Sequence, residues 1–292
     1  MPGLVAAWGL PRFARSATLQ QMAPHLFSNG PNMPYETLQV SFQDRVGIIT
    51  MNRPAARNAM TTRMMTELRD CFSGFYVDPQ VAACLVLTGA GSGFCSGADL
   101  KERKGMSEST WQQQHAVVEQ MVKAIMDCPI PVIAAVNGAA YAGGMEIALA
   151  CDFIYAAQGA RFALTEVSLG IMPGAAGTQN LPRAVGVRRA KELVLTALPF
   201  SAAEAHAWGM VNKLCAPDRL MEEVMAVARR IADNAPISVR QAKKALDKAT
   251  ELDRASGYAY EIEAYNRTVG THDRQEGINA FNEKRKPRYL GR

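Results

Sequence analysis

Residues 134–152 read AAVNGAAYAGGMEIALACD, and the order of these residues decides the fold. The apolar run PVIAAV at 131–136 reads as a buried strand, and Gly138 begins a turn. Gly143-Gly144 opens a helix that runs through Ala150, and Asp152 to Ala156 returns as a strand. Strand, turn, helix and strand in succession is the unit of an α/β layered core. One residue does not fit a purely structural unit. Glu146 stands between Met145 and Ile147, in a run otherwise built from Ala, Leu and Gly. A carboxylate there is costly to bury, so it is paired or it works.

A second carboxylate, Glu166, lies in RFALTEVSLGIMPG at 161–174. Two facing carboxyl groups can hold one water between them and pass protons. Read alone, Glu146 could equally pair with a buried Arg, and Glu166 could be a surface-loop acid. Further out, VGIITM (46–51) and ACLVLT (83–88) read as strands, with a helix from Thr61 to Tyr76 capped by Thr61 or Thr62. A long amphipathic helix spans 107–126, with Ser107 as its cap. Between them lies the glycine-rich turn GAGSGFCSGADL at 89–100. After Pro217 strands stop and four helices follow, at 218–233, 237–250, 251–269 and 272–284. Leu220, Val224, Val227 and Ile231 form an apolar stripe at helical spacing in the first of these. A doubly wound nucleotide-binding fold is the competing architecture, but no GxGxxG or GxxxxGK[ST] stands at a strand end.

The chain has 292 residues, 48% of them hydrophobic, enough for one large domain or a domain with an appendage. Its net charge of +5 is mild. That suits an anionic small ligand better than nucleic acid, and no aromatic-basic interleaving stands out. No apolar run approaches the roughly 20 residues of a membrane span. The six cysteines make no CxxC pair and read as buried free thiols of a reducing compartment. The four histidines show no metal-ligand spacing, so no metal site is expected. Residues 1–32 contain Arg12 and Arg15 and no acid. They read as a poorly ordered tail without a catalytic role. A transit peptide is the alternative, which would move the expected location from the cytoplasm to the mitochondrial matrix.

Two glycine turns complete the constellation. Ser96-Gly97-Ala98-Asp99 follows a strand and Gly143-Gly144 begins a helix, whose first N–H groups lack internal partners. Two such N–H groups aimed at one point make an oxyanion hole; singly, each is an ordinary tight turn. At this point FCSGADLKER, AAVNGAAYAGGMEIALACD, LTEVSLGIMPGAAGTQNLPRAVG and DRQEGINAFNEKRKPRY stand in order along the chain. With these motifs, the chain from about Tyr35 to Arg292 resembles the enoyl-CoA hydratase (crotonase) family. The resemblance implies a spiral of ββα units over residues 33–217. It also implies a C-terminal helical region, 218–292, that builds homotrimers, often paired into hexamers.

The same resemblance implies roles for single residues. Ala98 and Gly143 would supply the oxyanion-hole amides, and Glu146 and Glu166 the acid/base pair. Gly174 would help place the water. Ala98, Asp99, Leu100 and Lys101 would meet coenzyme A, and Phe281 and Lys284 would reach a neighbouring subunit's coenzyme. Arg57 is a further phosphate candidate, though a solvated loop Arg fits as well. Coenzyme A belongs to the substrate, so no separate cofactor is expected. Both glutamates together favour hydration of a short-chain enoyl-CoA over isomerisation with a single base.

GADLKERKGMSES and PRAVGVRRAKELVL are similar to the branch containing methylglutaconyl-CoA hydratases. That branch needs a cation for an extra carboxylate, and the sequence alone identifies none. It also includes an RNA-binding relative, a reading the mild charge disfavours. Where many family members have glycines, this chain has Ala176 and Ala197. Both are read as reshaping backbone near the acyl pocket, a matter of substrate choice.

Overall fold

The structure, a computed structural model, describes residues 35–292; the expectations for 1–32 lie outside them. The core runs β1 (Leu38–Gln43), β2 (Val46–Met51), α1 (Thr62–Val77), β3 (Cys84–Gly89), α2 (Leu100–Arg103), α3 (Glu108–Met126), β4 (Val132–Val136), β5 (Ala140–Tyr141) and α4 (Gly143–Leu149). It continues through β6 (Phe153–Ala157), β7 (Arg161–Ala163), α5 (Gly177–Val185), α6 (Val187–Thr196), β8 (Phe200–Ser201), α7 (Ala202–Ala207) and β9 (Lys213–Cys215). Four helices close the chain: α8 (Leu220–Ala232), α9 (Pro236–Lys248), α10 (Arg254–Val269) and α11 (His272–Asn282).

A six-stranded sheet in the order β1-β2-β3-β4-β6-β9 stands beside a three-stranded sheet, β5-β7-β8. From β2 onward the large sheet is parallel and its strand order never reverses. A doubly wound sheet would reverse at its switch point. Instead, β4 and β6 sit in the large sheet while β5 and β7, which follow them in the chain, sit in the small one. The chain therefore advances as a spiral, laying down the two sheets side by side.

The apolar strands are continuous because both faces of the large sheet are covered. Ile49, Met51, Leu85, Leu87, Val132 and Ala134 point to the face that packs on α1 and α3, against Met64, Leu68 and Phe72. Val46, Ile48, Cys84, Val86, Ile133 and Ala135 point to the other face, where α8 lays down Leu220, Val224 and Ala228. Val227 and Ile231 pack on the same cluster. The stripe Leu220, Val224, Val227, Ile231 thus packs on the chain's own sheet, Val227 and Ile231 only partly buried there. Each such side chain, once buried, contributes about 1.5–3 kcal/mol to holding α8 in place.

The caps fall where the sequence puts them. Thr61 accepts from the Met64 N–H at the start of α1, and Ser107 from the Thr110 N–H at the start of α3. All six cysteines are buried and free. Among the described residues no helix is long and apolar enough to cross a membrane. Helix α9 is pinned to the core by Lys243, whose Nζ lies 2.8 Å from Asp152 Oδ2 and 3.2 Å from the Ile130 carbonyl.

Ala197 ends α6 in the left-handed region, φ 54°, ψ 18°, and does not line the cleft described below. It occupies a backbone conformation that glycine takes without strain. Ala197→Gly should therefore raise the unfolding free energy by about 0.5–1 kcal/mol, the strain relief outweighing the extra freedom of the unfolded glycine. Urea denaturation reads the change.

Candidate active site

Asn58 organises the loops under the site. It is fully buried: its Nδ2 donates to the Ala90 and Gly93 carbonyls at 2.9 Å, and its Oδ1 accepts the Arg53 N–H at 2.9 Å. This ties the loop after β2 to the glycine turn after β3. The turn then runs alongside β2's loop, Met60 N–H bonding the Gly97 carbonyl and Asp99 N–H bonding the Met60 carbonyl. Between them the Ala98 N–H has no acceptor among the described residues.

The Gly143 N–H, first in α4, has none either. Its direction is set by Ala142, held at φ 47°, ψ −127°. Ala142 donates its N–H to the Ala163 carbonyl, and its own carbonyl accepts from Met145 and Glu146. With the carbonyl turned into the helix, the next N–H must face the other way. Gly97, at φ 93°, lets the two segments approach; a Cβ there would stand 2.9 Å from the Ala142 methyl and 3.4 Å from the Gly143 nitrogen. The Ala98 and Gly143 amides, neither with an acceptor among the described residues, thus lie close together in the wall of a cleft of about 780 Å³.

The cleft also receives Glu146, Glu166, Gly174 and Leu100. Glu146 is only 3% exposed, with no Arg beside it. Its Oε1 accepts the Ala175 N–H at 2.8 Å and the Gly177 N–H at 2.9 Å. Both amides come from the start of α5, where the helix dipole favours negative charge. Ala176 between them is left-handed, φ 66°, and this turn aims both donors inward. Burial raises the Glu146 carboxyl above its ordinary value, against the pull of the two N–H groups.

Glu166 begins a short 3-10 helix, Glu166–Leu169, and is 6% exposed rather than a surface acid. Its Oε2 is buried without a hydrogen-bond partner. Burial, and then the charge of Glu146, push its pKa up from 4.5 to about 7, opposed by a backbone hydrogen bond and by Arg103. The two carboxyls therefore sit in contrasting surroundings: one holds two donors that favour the anion, the other has an oxygen that favours a proton.

This contrast has a thermodynamic signature. The folded pKa of Glu166 lies above the unfolded one, so its stabilising contribution is full below pH 4.5 and lost as pH rises through about 7. Glu166→Gln should gain on the wild type by roughly 3 kcal/mol between pH 4.5 and about pH 8. Paired urea melts at the two pH values check the sign and size.

Other predicted residues lie around or away from the cleft. Asp99 spends its side chain on Arg53 at 3.0 Å and on capping α2, its N–H on the Met60 carbonyl, and its carbonyl on the Arg103 N–H. Lys101 is exposed on α2, just beyond Ala98, and Arg57 is exposed in a left-handed turn whose carbonyl accepts the Ser96 N–H. Phe281, 84% exposed, and Lys284 sit at the end of α11 and do not line this chain's cleft. Sequence reading missed the Ala175 and Gly177 amides that hold Glu146. It also left Arg103, Trp111 and His115 without roles, although Trp111, His115 and Val118 fall at helical spacing on one face of α3 and line the cleft.

The side-by-side sheets, the glycine turn and the helix α4 that opens onto one cleft define a protein of the crotonase fold. The crystal structure of an enoyl-CoA hydratase from Bacillus anthracis superposes with a TM-score of 0.86 at 40% identity, covering 88% of this chain and 100% of that one. A family model described as enoyl-CoA hydratase/isomerase matches residues 41–292, and the chain belongs to that family. It is 43% identical over 252 residues to the human enoyl-CoA hydratase domain-containing protein 2, mitochondrial, spanning 84% of this chain and 85% of the relative. It is 39% identical over 269 residues to the mitochondrial enoyl-CoA hydratase of Pongo abelii, spanning 90% of each.

Proposed function

We propose that the chain adds water reversibly to the double bond of a short-chain 2-enoyl-CoA thioester. The observation that carries this reading is the pair of buried carboxyls in contrasting surroundings, facing the same cleft as two unoccupied amides. A thioester oxygen seated on the Ala98 and Gly143 N–H groups would draw charge from the conjugated double bond. The β carbon then accepts a nucleophile, and enolate charge collects on that oxygen. Glu146, the better stabilised anion, takes the proton from water. Glu166, the more readily protonated acid, gives a proton to the α carbon. Gly174, beside Ala175 in the cleft wall, helps place the water. Isomerisation needs one base shuttling one proton; two buried carboxyls favour hydration.

Coenzyme A arrives as part of the substrate, so the reaction needs no separate cofactor. Its adenine end would run past Ala98, Asp99 and Leu100, with Lys101 and Arg57 towards its phosphates. Phe281 and Lys284 would serve the coenzyme of a neighbouring copy in a homotrimer or hexamer. The support for assembly is an exposed apolar row on α10, Tyr258, Ile262, Tyr265 and Val269, at helical spacing. The chain would act in the cytoplasm, or in the mitochondrial matrix if residues 1–32 are a transit peptide. A panel of enoyl-CoA thioesters, followed by loss of the conjugated absorbance, tests the activity. Turnover of a short-chain member supports the reading, and no turnover of any member contradicts it. An active monomer by light scattering would contradict the shared-coenzyme part.

A further inference from the structure

Helix α2 is a single turn, Leu100–Arg103, and none of its four residues is buried. Leu100, its apolar side chain, is 53% exposed. One isolated turn does not hold its shape in water, and no buried apolar side chain anchors this one to the core. Its place beside the cleft is therefore set by polar contacts at its two ends. The near end is fixed through Asp99. The Asp99 N–H bonds the Met60 carbonyl, its Oδ2 lies 3.0 Å from Arg53, and its Oδ1 accepts the Lys101 N–H at 3.0 Å.

At the far end the contacts converge on one side chain of α3. Gln114 is 3% exposed. Its Oε1 accepts from Arg103 Nε at 2.7 Å, and its Nε2 donates to Glu102 Oε2 at 3.1 Å and to Thr62 Oγ1 at 2.8 Å. Glu102 Oε2 also accepts the Thr62 N–H, the first of α1, at 2.8 Å. Three helices thus meet at one buried amide. The other buried residues of α3, Val118, Met121, Val122 and Ile125, are all apolar. An apolar residue at 114 would serve the packing of α3 as well, since swapping a satisfied polar group for an apolar one of like shape is close to neutral. The amide is needed for what it holds, the last two residues of α2. Gln114 does not itself line the cleft, whereas Leu100 does. Without Gln114, α2 would swing about Asp99. Leu100 and Lys101 lie beyond that pivot and would move; Ala98 lies before it, beside the Gly97 carbonyl that holds the Met60 N–H, and would stay.

We propose that Gln114 is a positioning residue for the coenzyme: it sets the far end of α2 so that Leu100 and Lys101 meet the nucleotide part of the thioester. The proposal rests on the coenzyme path given under the proposed function. The test is calorimetric titration with butyryl-CoA and with S-butyryl-pantetheine, which share the acyl group and differ in the nucleotide. Neither carries a double bond, so neither reports on hydration. Gln114→Glu sets two carboxyls against each other across the 3.1 Å contact with Glu102. It should weaken butyryl-CoA binding about 10-fold and leave butyryl-pantetheine within about 2-fold. Adding Glu102→Gln restores a donor opposite an acceptor and should recover wild-type binding. Gln114→Leu should weaken butyryl-CoA about 5-fold with little change in melting temperature, and it serves where Gln114→Glu does not fold. In turnover the loss should appear in KM with kcat unchanged, because a nucleotide contact is the same in ground and transition states. Butyryl-CoA binding unchanged in Gln114→Leu, an equal loss for the pantetheine thioester, or a double variant no tighter than Gln114→Glu would overturn the proposal. A wild type that does not bind butyryl-CoA would overturn the coenzyme path and this proposal with it. Binding without hydration counts against the proposed reaction and leaves the role of Gln114 standing.

Discussion

Glu166→Gln is expected to lower turnover of an enoyl-CoA thioester by about 1,000-fold or more while the protein stays folded, and Glu146→Gln to do the same. The amide keeps the shape of the carboxyl and removes its proton chemistry. At Glu146 it also places an NH₂ or a neutral oxygen where two N–H groups, from Ala175 and Gly177, now meet an anion. The double variant should be little slower than the slower single one, because both groups act on the same water and the same enolate. Steady-state rates and thermal melts on the three variants check this. Independent, multiplying losses would mean that the carboxyls serve separate steps.

Gly177→Ala should cost about 100-fold in turnover without touching a carboxyl. A methyl at Gly177 would stand 2.7 Å from Glu146 Oε1, 2.9 Å from its Cγ and 3.2 Å from its Cδ. The first two are shorter than a methyl tolerates, so Glu146 must swing out of its pair of amides. Gly177 lies in the first turn of α5 without a positive φ, so alanine suits the backbone and the melting temperature should move little. KM should also stay within a few fold. Gly144→Ala is the contrasting case. Its methyl would meet the Cys95 carbonyl at 2.1 Å, which is backbone that cannot move aside, so loss of folding is expected there.

How much of this was legible beforehand differs by element. VGIITM, ACLVLT and PVIAAV announced themselves because a strand buried on both faces must be apolar throughout. The two- and three-residue strands β5, β7 and β8 are shorter than any period can reveal. They exist because the spiral brings Ala140, Phe162 and Phe200 together from distant stretches. The stripe on α8 shows a further limit. Its period correctly said that one face is buried, but a period does not name the surface that covers it. Glu146 was legible because an acid in an apolar run is rare. Its two donors were not, since a backbone N–H has no letter of its own. Arg103 sat in the charged run KERK, where no letter marks one residue as more buried than its neighbours. Its burial depends on Trp111 and Gln114 of the next helix, a tertiary fact.

The central claim is that two glutamates add one water across a conjugated thioester. Its most direct test is mass spectrometry of the product formed from crotonyl-CoA in heavy-oxygen water. The account predicts a hydroxyacyl thioester carrying one heavy oxygen on the β carbon, formed by the wild type and nearly absent with Glu166→Gln. An isomerised thioester without added oxygen, or equal product from Glu166→Gln, would contradict it.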